Sequence, residues 1–299
     1  MCGPHAPAAR SCHLSTRTLG GTGAVKTARH GTARQRAHLL RQNSWRRVQT
    51  ILYERRRQAR DPQISHLEVP LPRLPVSLSG LRIAHLSDIH YGLFLSRESL
   101  LRVLDLTQAQ RPDLICITGD FVTQSPVFID PVGEMLGRLH APLGVYAVLG
   151  NHDFRAGADQ LTHVLRQQGL KVLRNQHRLV RHRGAAFQIA GIDDSRQHPN
   201  LAASLGPTAS RFTLLLAHNP MELGAAARCG VDLVLSGHTH GGQIKFAFAE
   251  PLYQRFLPAG FLSLEATQMY VSRGLGKVIL PMRVGAPPEL AFLTLYPGA

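Results

Sequence analysis

The sequence predicts an α/β fold with two packed β-sheets, on the basis of three observations. Short apolar runs alternate with helical patterns between residues 81 and 168, which is typical of βαβ units and a largely parallel sheet. From residue 179 onward the pattern is richer in strands, so we expect a second sheet packed against the first. The chain has 299 residues, of which 44% are hydrophobic, and this is enough for one large core.

The predicted elements follow in order from the amino terminus. An edge strand or linker is expected at residues 67–72, because its prolines cannot donate to a strand ladder. The first half then has strands at residues 81–86, 114–117 and 145–149, and helices near residues 98–110, 132–139 and 158–168. The second half has strands at residues 187–190, 212–217, 233–235, 269–272 and 290–295.

The positive charge is concentrated near the amino terminus. Residues 1–60 contain 13 lysines and arginines and one acidic residue, whereas residues 61–299 contain 21 basic and 18 acidic side chains. We therefore divide the chain into a basic tail at residues 1–60, a linker and edge strand at 61–80, and a folded domain at 81–299. The domain is nearly balanced in charge and lacks a basic stripe interleaved with aromatic residues, which disfavours nucleic acid as a partner.

The tail itself has two parts. Residues 1–40 have the composition of a disordered segment. Residues 42–60 combine apolar side chains at helical spacing with several arginines, which is typical of a basic amphipathic helix. Such a helix can bind an anionic membrane surface, pack its apolar stripe on the domain, or bind nucleic acid. The sequence leaves these three alternatives open.

The cysteines and the hydropathy pattern predict where the protein resides. Four scattered cysteines without a CxxC pair favour a reducing compartment, and Cys116 lies in an apolar run typical of a buried thiol. No stretch approaches the roughly 18 consecutive apolar residues of a membrane-spanning helix. The amino terminus also lacks the apolar core of a secretory signal. We expect a cytoplasmic protein, peripheral on the inner face of the membrane if the tail binds lipid.

Five short polar blocks each follow directly on a predicted strand. They are DIH at residues 88–90, GD at 119–120, GNHD at 150–153, HN at 218–219 and GHTHGG at 237–242. Because ligands of α/β sheets gather at the carboxyl ends of the strands, this position favours a functional site. Imidazole, carboxylate and amide donors without thiolate are typical of sites for first-row divalent metals. Histidines outside the blocks, such as His85, are interpreted as surface or packing residues.

The spacing within the blocks also favours a metal centre. The i, i+2 pairs Asp88/His90 and His238/His240 place both side chains on one side of an extended strand end. Asp120 is a single carboxylate next to a glycine, which suits it to bridging two cations. A lone histidine at a strand end is usually an ordinary loop residue, but five such blocks in order indicate one site.

The series DxH, GD, GNHD, H and GHTHGG resembles the calcineurin-like metallophosphoesterase superfamily over about residues 80–245. The resemblance implies a four-layer α-β-β-α sandwich of two mixed sheets, with two metal ions held at the sheet ends. The implied ligands are Asp88, His90 and His240 for one metal, Asn151, His218 and His238 for the other, and Asp120 as the bridge between them. His152 would face the phosphate, and Asp153 would orient its ring.

Some details separate this chain from other members. Residues 119–123 are GDFVT where many members have GDxxD, and Asp153 stands where glutamate is common. Neither departure removes an implied ligand. Residues 85–90, 237–244, 270–276, 281–283 and 288–290 resemble a bacterial branch that includes cell-envelope phosphoesterases and the UDP-2,3-diacylglucosamine pyrophosphatases of lipid A synthesis.

The expected reaction is hydrolysis of a phosphodiester or pyrophosphate bond by water activated between two divalent cations. The expected substrate is lipid-linked or a nucleotide sugar at the membrane face. Manganese is favoured, although iron, zinc and cobalt accept the same donors. Arg273 and Arg283 are candidates for bidentate contacts with a second phosphate, and a role as ordinary surface arginines is equally consistent.

Two alternative functions stay open at this point. One is a nuclease or nucleic-acid-associated phosphoesterase recruited by the basic tail. The other is a catalytically silent scaffold with the same fold, against which the complete set of implied ligands argues.

Overall fold

The computed structural model describes residues 62–197, 199–206, 211–244 and 258–298. The predicted disordered segment and basic helix at residues 1–60 lie outside these ranges. The strands are β1 Gln63–Leu71, β2 Leu81–Leu86, β3 Leu114–Thr118, β4 Val145–Val148, β5 Lys171–Val172, β6 Gln176–His182, β7 Ala185–Gly191, β8 Thr213–Leu216, β9 Leu233–Ser236, β10 Gly260–Leu264, β11 Thr267–Val271 and β12 Glu289–Pro297. The α-helices are α1 Arg97–Ala109, α2 Ile129–Leu136, α3 Asn151–Gln167, α4 Leu201–Leu205 and α5 Leu223–Arg228.

The strands form two six-stranded mixed sheets. The first has the order β1-β12-β2-β3-β4-β5 and the second has the order β10-β11-β9-β8-β7-β6. Neighbouring strands from β2 to β5 are parallel, as are β7, β8, β9 and β11, whereas β12 runs antiparallel to β2. The prediction of two mixed sheets is confirmed. Strand β1, which contains Pro70, forms the edge of the first sheet.

Both faces of the central strands are apolar because both are covered. Along β8, Leu214 and Leu216 belong to the cluster between the two sheets, whereas Leu215 belongs to the cluster under α5. On the first sheet, Ile115 and Ile117 pack against the helices α1 to α3. Three apolar clusters therefore separate four layers, as alternating side-chain directions along a strand require. The predicted four-layer sandwich is confirmed.

Helix α3 begins earlier than the sequence predicts. The helix was expected at residues 158–168, but it begins at Asn151, so the third polar block is the first turn of a helix and not a loop. Asp153 caps this turn by accepting a hydrogen bond from the Gly150 backbone N–H at 2.9 Å. Gly157, with φ of 133°, interrupts the helical conformation. Gly157 therefore separates a first helical segment, which the sequence pattern does not predict, from the predicted helix that follows it.

Two further predictions concern buried and membrane-spanning segments. Cys116 lies in the cluster between the sheets, where burial raises the pKa of its thiol. The predicted buried cysteine is therefore confirmed. Within the described ranges, no helix combines the length and the apolar character that crossing a bilayer requires.

Candidate metal centre

The polar blocks meet where the carboxyl ends of strands from both sheets come together. The loops after β2, β3 and β4 belong to the first sheet, and those after β8 and β9 belong to the second. Five of the seven predicted ligands in these loops have left-handed backbone conformations. They are Asp88, His90, Asp120, His238 and His240, with φ between 46° and 72°. Such conformations cost about 1–3 kcal/mol each and cluster at functional sites.

One set of side chains, which we name the first cluster, consists of Asp88, His90 and His240. The Nε2 atoms of His90 and His240 are 3.1 Å apart, and Asp88 Oδ1 lies 3.5 Å from His240 Nε2. All three residues are buried, and their donor atoms face one another. They are the three residues that the resemblance assigns to one metal.

A second set, which we name the second cluster, consists of Asp120, His218 and His238. His238 Nδ1 lies 3.0 Å from His218 Nε2, and Asp120 Oδ2 lies 3.4 Å from that same Nε2. Asn151 adds its side-chain oxygen at 3.3 Å from His218 Nε2. His238 is partly exposed, whereas Asp120 and His218 are buried.

Asp120 joins the two clusters. Its Oδ2 atom lies 3.4 Å from His90 Nε2 in the first cluster and 3.4 Å from His218 Nε2 in the second. The other oxygen, Oδ1, accepts a hydrogen bond from the His152 backbone N–H at 2.9 Å. One carboxylate oxygen is thus equidistant from both clusters, which is the arrangement of a bridging ligand.

The nitrogen separations fit cation binding. Metal–imidazole bonds are about 2.0–2.1 Å long, so two imidazoles bound at right angles to one cation have donor atoms about 3.0 Å apart. The separations of 3.1 Å between His90 and His240 and of 3.0 Å between His218 and His238 agree with this value. Two imidazoles held this close, with carboxylates beside them and no thiolate, fit a first-row divalent cation.

The charge states of the side chains favour the same interpretation. Burial lowers the pKa of His90 to about 3 and the pKa of His240 to about 4, so both rings are neutral and offer lone pairs. Burial opposes ionisation of Asp120, but the neighbouring His218 lowers its pKa below the usual range. Burial likewise opposes protonation of His218, yet Asp120 raises the pKa of His218 to about 10. A cation bound between this pair would replace that proton.

Hydrogen bonds behind the clusters orient the ligand atoms. His218 donates from Nδ1 to the Thr118 carbonyl at 2.7 Å, which leaves Nε2 facing the second cluster. Ser87 donates to Asp88 Oδ2 at 2.6 Å, so Oδ1 is the oxygen that faces His240. The sequence pattern does not identify Ser87 and Thr118 in this role. The available signal was a polar residue at the end of an apolar strand.

His152 lies beside the first cluster but contributes no donor atom to it. Its ring is 4.8 Å from the His90 ring, centroid to centroid, and nearly perpendicular to it. Its Nδ1 atom has no hydrogen-bond partner among the described residues. Asp153 accepts hydrogen bonds from the backbone N–H groups of Phe121 at 2.8 Å and Gly150 at 2.9 Å. Asp153 therefore holds the Asp120 loop against α3, and its implied role of orienting the His152 ring stays a prediction.

The two predicted substrate arginines are held by the protein itself. Arg273 donates to Glu289 at 2.9 Å and to Gln63 at 3.1 Å. Arg283 donates to the carbonyl oxygens of Arg273 and Gly276 and contacts His240 Nδ1 at 3.0 Å. Burial lowers the pKa of Arg283 to about 10. These contacts favour a bracing role over the predicted contact with a second phosphate.

Comparison with known proteins identifies several similar sequences. A family profile described as "Calcineurin-like phosphoesterase" matches residues 81–242. The uncharacterized metallophosphoesterase YkuE of Bacillus subtilis is 33% identical over 232 residues, which cover 74% of this chain and 81% of that protein. The uncharacterized metallophosphoesterase Cj0846 of Campylobacter jejuni is 32% identical over 239 residues, which cover 78% of this chain and 63% of that protein.

A vertebrate relative extends the comparison. The transmembrane protein with metallophosphoesterase domain of Danio rerio is 32% identical over 253 residues, which cover 79% of this chain and 58% of that protein. This chain therefore matches less than two thirds of the length of the Danio and Campylobacter relatives. The names of these three relatives give a family and no substrate.

Proposed function

The chain belongs to the calcineurin-like phosphoesterases, and we propose that it hydrolyses a phosphodiester or pyrophosphate bond at the site formed by the first and second clusters. The observation that carries the proposal is the Asp120 oxygen that lies 3.4 Å from a histidine of each cluster. A pair of divalent cations supplies a water nucleophile of lowered pKa and neutralises charge on the phosphate oxygens.

Each side chain then has a proposed role. The ligands are Asp88, His90 and His240 in the first cluster, Asn151, His218 and His238 in the second, and Asp120 in both. His152 lies beside the clusters with a ring nitrogen that the protein leaves unpartnered. We assign His152 to contact the phosphate and to protonate the leaving oxygen. Asp153 supports this role indirectly by fixing the first turn of α3.

The manganese ion is the cation that we propose for the site. All seven proposed ligands offer imidazole nitrogen or oxygen, and the set includes three oxygen donors from Asp88, Asp120 and Asn151. Oxygen donors suit manganese, whereas iron, zinc and cobalt also accept imidazole. Comparative metal titration with these four cations ranks them.

We propose that the substrate is lipid-linked, or a nucleotide sugar presented at the membrane face. The support is a set of exposed large apolar side chains in segments that follow strands of the two sheets. Leu93, Val127, Met221 and Ile279 are 64%, 69%, 84% and 82% exposed. They lie in the loops that begin at the carboxyl ends of β2, β3, β8 and β11, and three of these loops also carry metal ligands. Exposed apolar side chains around a site favour contact with an apolar partner.

The hydrolysis experiment compares wild-type protein with Asp120→Asn on a chromogenic phosphodiester, a phosphomonoester and a pyrophosphate, with and without added manganese. Asp105→Asn is the matched control, because Asp105 is exposed in the middle of α1. We expect manganese-dependent turnover by wild type and Asp105→Asn, and loss of turnover in Asp120→Asn. Absence of metal-stimulated turnover on all three substrates would refute the catalytic proposal.

A vesicle experiment tests the substrate proposal separately. The variant Leu93→Ser/Ile279→Ser removes two exposed apolar side chains and no proposed ligand. We expect it to sediment less with anionic vesicles than wild type, while it hydrolyses the soluble chromogenic substrate at an unchanged rate. Equal sedimentation of the two proteins would remove the support for a membrane-face substrate. Deleting residues 1–60 in parallel measures the contribution of the tail.

A further inference from the structure

Three buried side chains form a chain of hydrogen bonds that ends on Asp88. His85 Nε2 lies 2.8 Å from Thr118 Oγ1, Thr118 Oγ1 lies 2.8 Å from Ser87 Oγ, and Ser87 Oγ lies 2.6 Å from Asp88 Oδ2. All four side chains have no exposed surface. The chain connects strands β2 and β3 behind the first cluster, because His85 is in β2 and Thr118 ends β3.

The chemistry of the end groups fixes the direction of every bond. A carboxylate only accepts, so Ser87 donates to Asp88. The Ser87 oxygen then accepts from the Thr118 hydroxyl, whose oxygen in turn accepts from His85 Nε2–H. Burial lowers the pKa of His85 to about 3, which leaves a neutral ring with one proton to donate. All three bonds therefore point toward Asp88, and bonds aligned in this way strengthen one another.

The ring nitrogen of His85 that lies away from Thr118 is consistent with this direction of the hydrogen bonds. His85 Nδ1 is buried and makes no hydrogen bond within the described part of the chain. In the Nε2–H tautomer this atom is only an acceptor, and a buried acceptor without a partner is less costly than a buried donor without one. The His85 ring also packs edge-on against Tyr270 at 6.1 Å between centroids. The ring is thus held in the orientation that donates to Thr118.

The series of hydrogen bonds from His85 determines which Asp88 oxygen is available for a cation. Oδ2 accepts from Ser87 at 2.6 Å, whereas the His238 backbone N–H lies between the two oxygens, 3.0 Å from Oδ2 and 3.1 Å from Oδ1. Oδ1 lies 3.5 Å from His240 Nε2 within the first cluster. Rotation of the carboxylate would break the 2.6 Å bond to Ser87 and leave its hydroxyl with only the longer contact to the Thr118 carbonyl at 3.2 Å. Its present orientation is the one in which Oδ1 faces the other two ligands.

We propose that His85, Thr118 and Ser87 are positioning residues that fix the Asp88 carboxylate for cation binding in the first cluster. This inference rests on the proposed metal centre and adds a set of residues that touch neither cation nor substrate. Thr118 affects the clusters through two different groups. Its hydroxyl acts on Asp88 in the first cluster, whereas its carbonyl accepts from His218 Nδ1 in the second. A side-chain substitution therefore changes only the first of these contacts.

The test uses the substitutions Thr118→Val and Thr118→Ser in two backgrounds. Valine keeps the shape of threonine and the backbone carbonyl but removes the hydroxyl, whereas serine keeps the hydroxyl. In the His238→Ala background only the first cluster retains all its ligands, and in the His240→Ala background only the second does. Manganese affinity is measured in full-length protein by calorimetry and by electron paramagnetic resonance of free manganese.

We expect Thr118→Val to weaken manganese binding about 10- to 100-fold in the His238→Ala background. We expect Thr118→Ser to restore the affinity to within about threefold of its parent, and neither substitution to change it in the His240→Ala background. Equal affinity of Thr118→Val and its parent in the His238→Ala background would overturn the inference. An equal loss in both backgrounds would also overturn it, because it would indicate general destabilisation.

Two further results keep the outcomes distinct. If Thr118→Val does not fold, Ser87→Ala replaces it, since this change removes the hydroxyl that donates to Asp88 and accepts from Thr118, and predicts the same loss of affinity. Wild-type protein that binds no manganese at all would contradict the proposed metal centre itself. Wild-type binding that is insensitive to Ser87 and Thr118 would contradict only the positioning role.

Discussion

The first and second clusters have similar donors but different surroundings. Loop residues 272–276 pack directly behind the first cluster, where the Leu275 and Gly276 N–H groups donate to the backbone carbonyls of Ser87 and Asp88 at 3.0 and 2.7 Å. Arg283 contacts the His240 ring from the same side. The second cluster instead has a partly exposed histidine, His238, and the amide of Asn151 from the first turn of a helix.

The difference teaches how one site can both retain cations and turn over a substrate. A closed cluster with buried, closely packed ligands favours tight binding and slow exchange, because these ligands have little room to rotate. An open cluster leaves a side from which a phosphate can approach. The shared Asp120 oxygen couples the two clusters, so neither is independent of the other.

Removing one histidine, from either the first or the second cluster, is expected to have the largest effect. We expect His240→Ala and His238→Ala each to lower turnover by more than about 100-fold, because each removes a direct ligand. The two variants differ in stability. His240→Ala empties a buried position and is expected to lower the free energy of unfolding by about 2–3 kcal/mol, whereas His238→Ala changes it by less than about 1 kcal/mol. Chemical unfolding of metal-free protein measures both, and equal losses would contradict the difference between the clusters.

A substitution that crowds the loop behind the first cluster is expected to have the next largest effect. A Cβ atom added at Gly276 would overlap the Ile89 carbonyl and lie 2.8 Å from His90 Cβ. We expect Gly276→Ala to lower the free energy of unfolding by about 1–3 kcal/mol and to weaken the first cation more than the second. Gly224→Ala is the control, because Gly224 lies in α5 with its nearest neighbour 3.7 Å away. An equal effect of the two substitutions on stability would contradict the bracing role of the loop.

The sequence predicts the metal ligands better than it predicts the residues that hold those ligands in place. Asp88, His90 and His240 could be found because five polar blocks each follow directly on an apolar strand, and the order of these blocks along the chain is informative. The supports depend on contacts between distant segments. Arg283 meets His240 across 43 positions, and Thr118 meets Ser87 across 31 positions. Nothing in the local sequence of Arg283 distinguishes an arginine that binds phosphate from one that binds backbone carbonyls.

The fold shows the same division between local and distant information. Strand β2 was predicted with its observed bounds, because the alternation of its apolar residues is local. The start of α3 was predicted wrongly, because Gly157 interrupts the helical pattern and the capping contact between Asp153 and Gly150 belongs to the turn itself. Asp153 was assigned to His152, its neighbour in sequence, whereas its carboxylate also accepts from Phe121, 32 positions away.

The smallest of the expected effects on the centre itself comes from His152, which lies beside both clusters without belonging to either. We expect His152→Asn to lower kcat about 100-fold, as loss of a general acid does, and to leave the number of bound cations and the stability unchanged. Steady-state kinetics and metal analysis on the same sample measure both quantities. A parallel loss of bound metal would instead make His152 a ligand.

The most direct measurement of the shared centre is the electron paramagnetic resonance spectrum of protein loaded with two equivalents of manganese. Two cations held on either side of one Asp120 oxygen are expected to give an exchange-coupled signal in the wild type. Asp120→Asn is expected to lose the coupling, with fewer than two cations bound per chain, whereas Asp105→Asn retains the wild-type spectrum. Two uncoupled manganese signals, or a single binding equivalent in the wild type, would contradict a dinuclear centre bridged by Asp120.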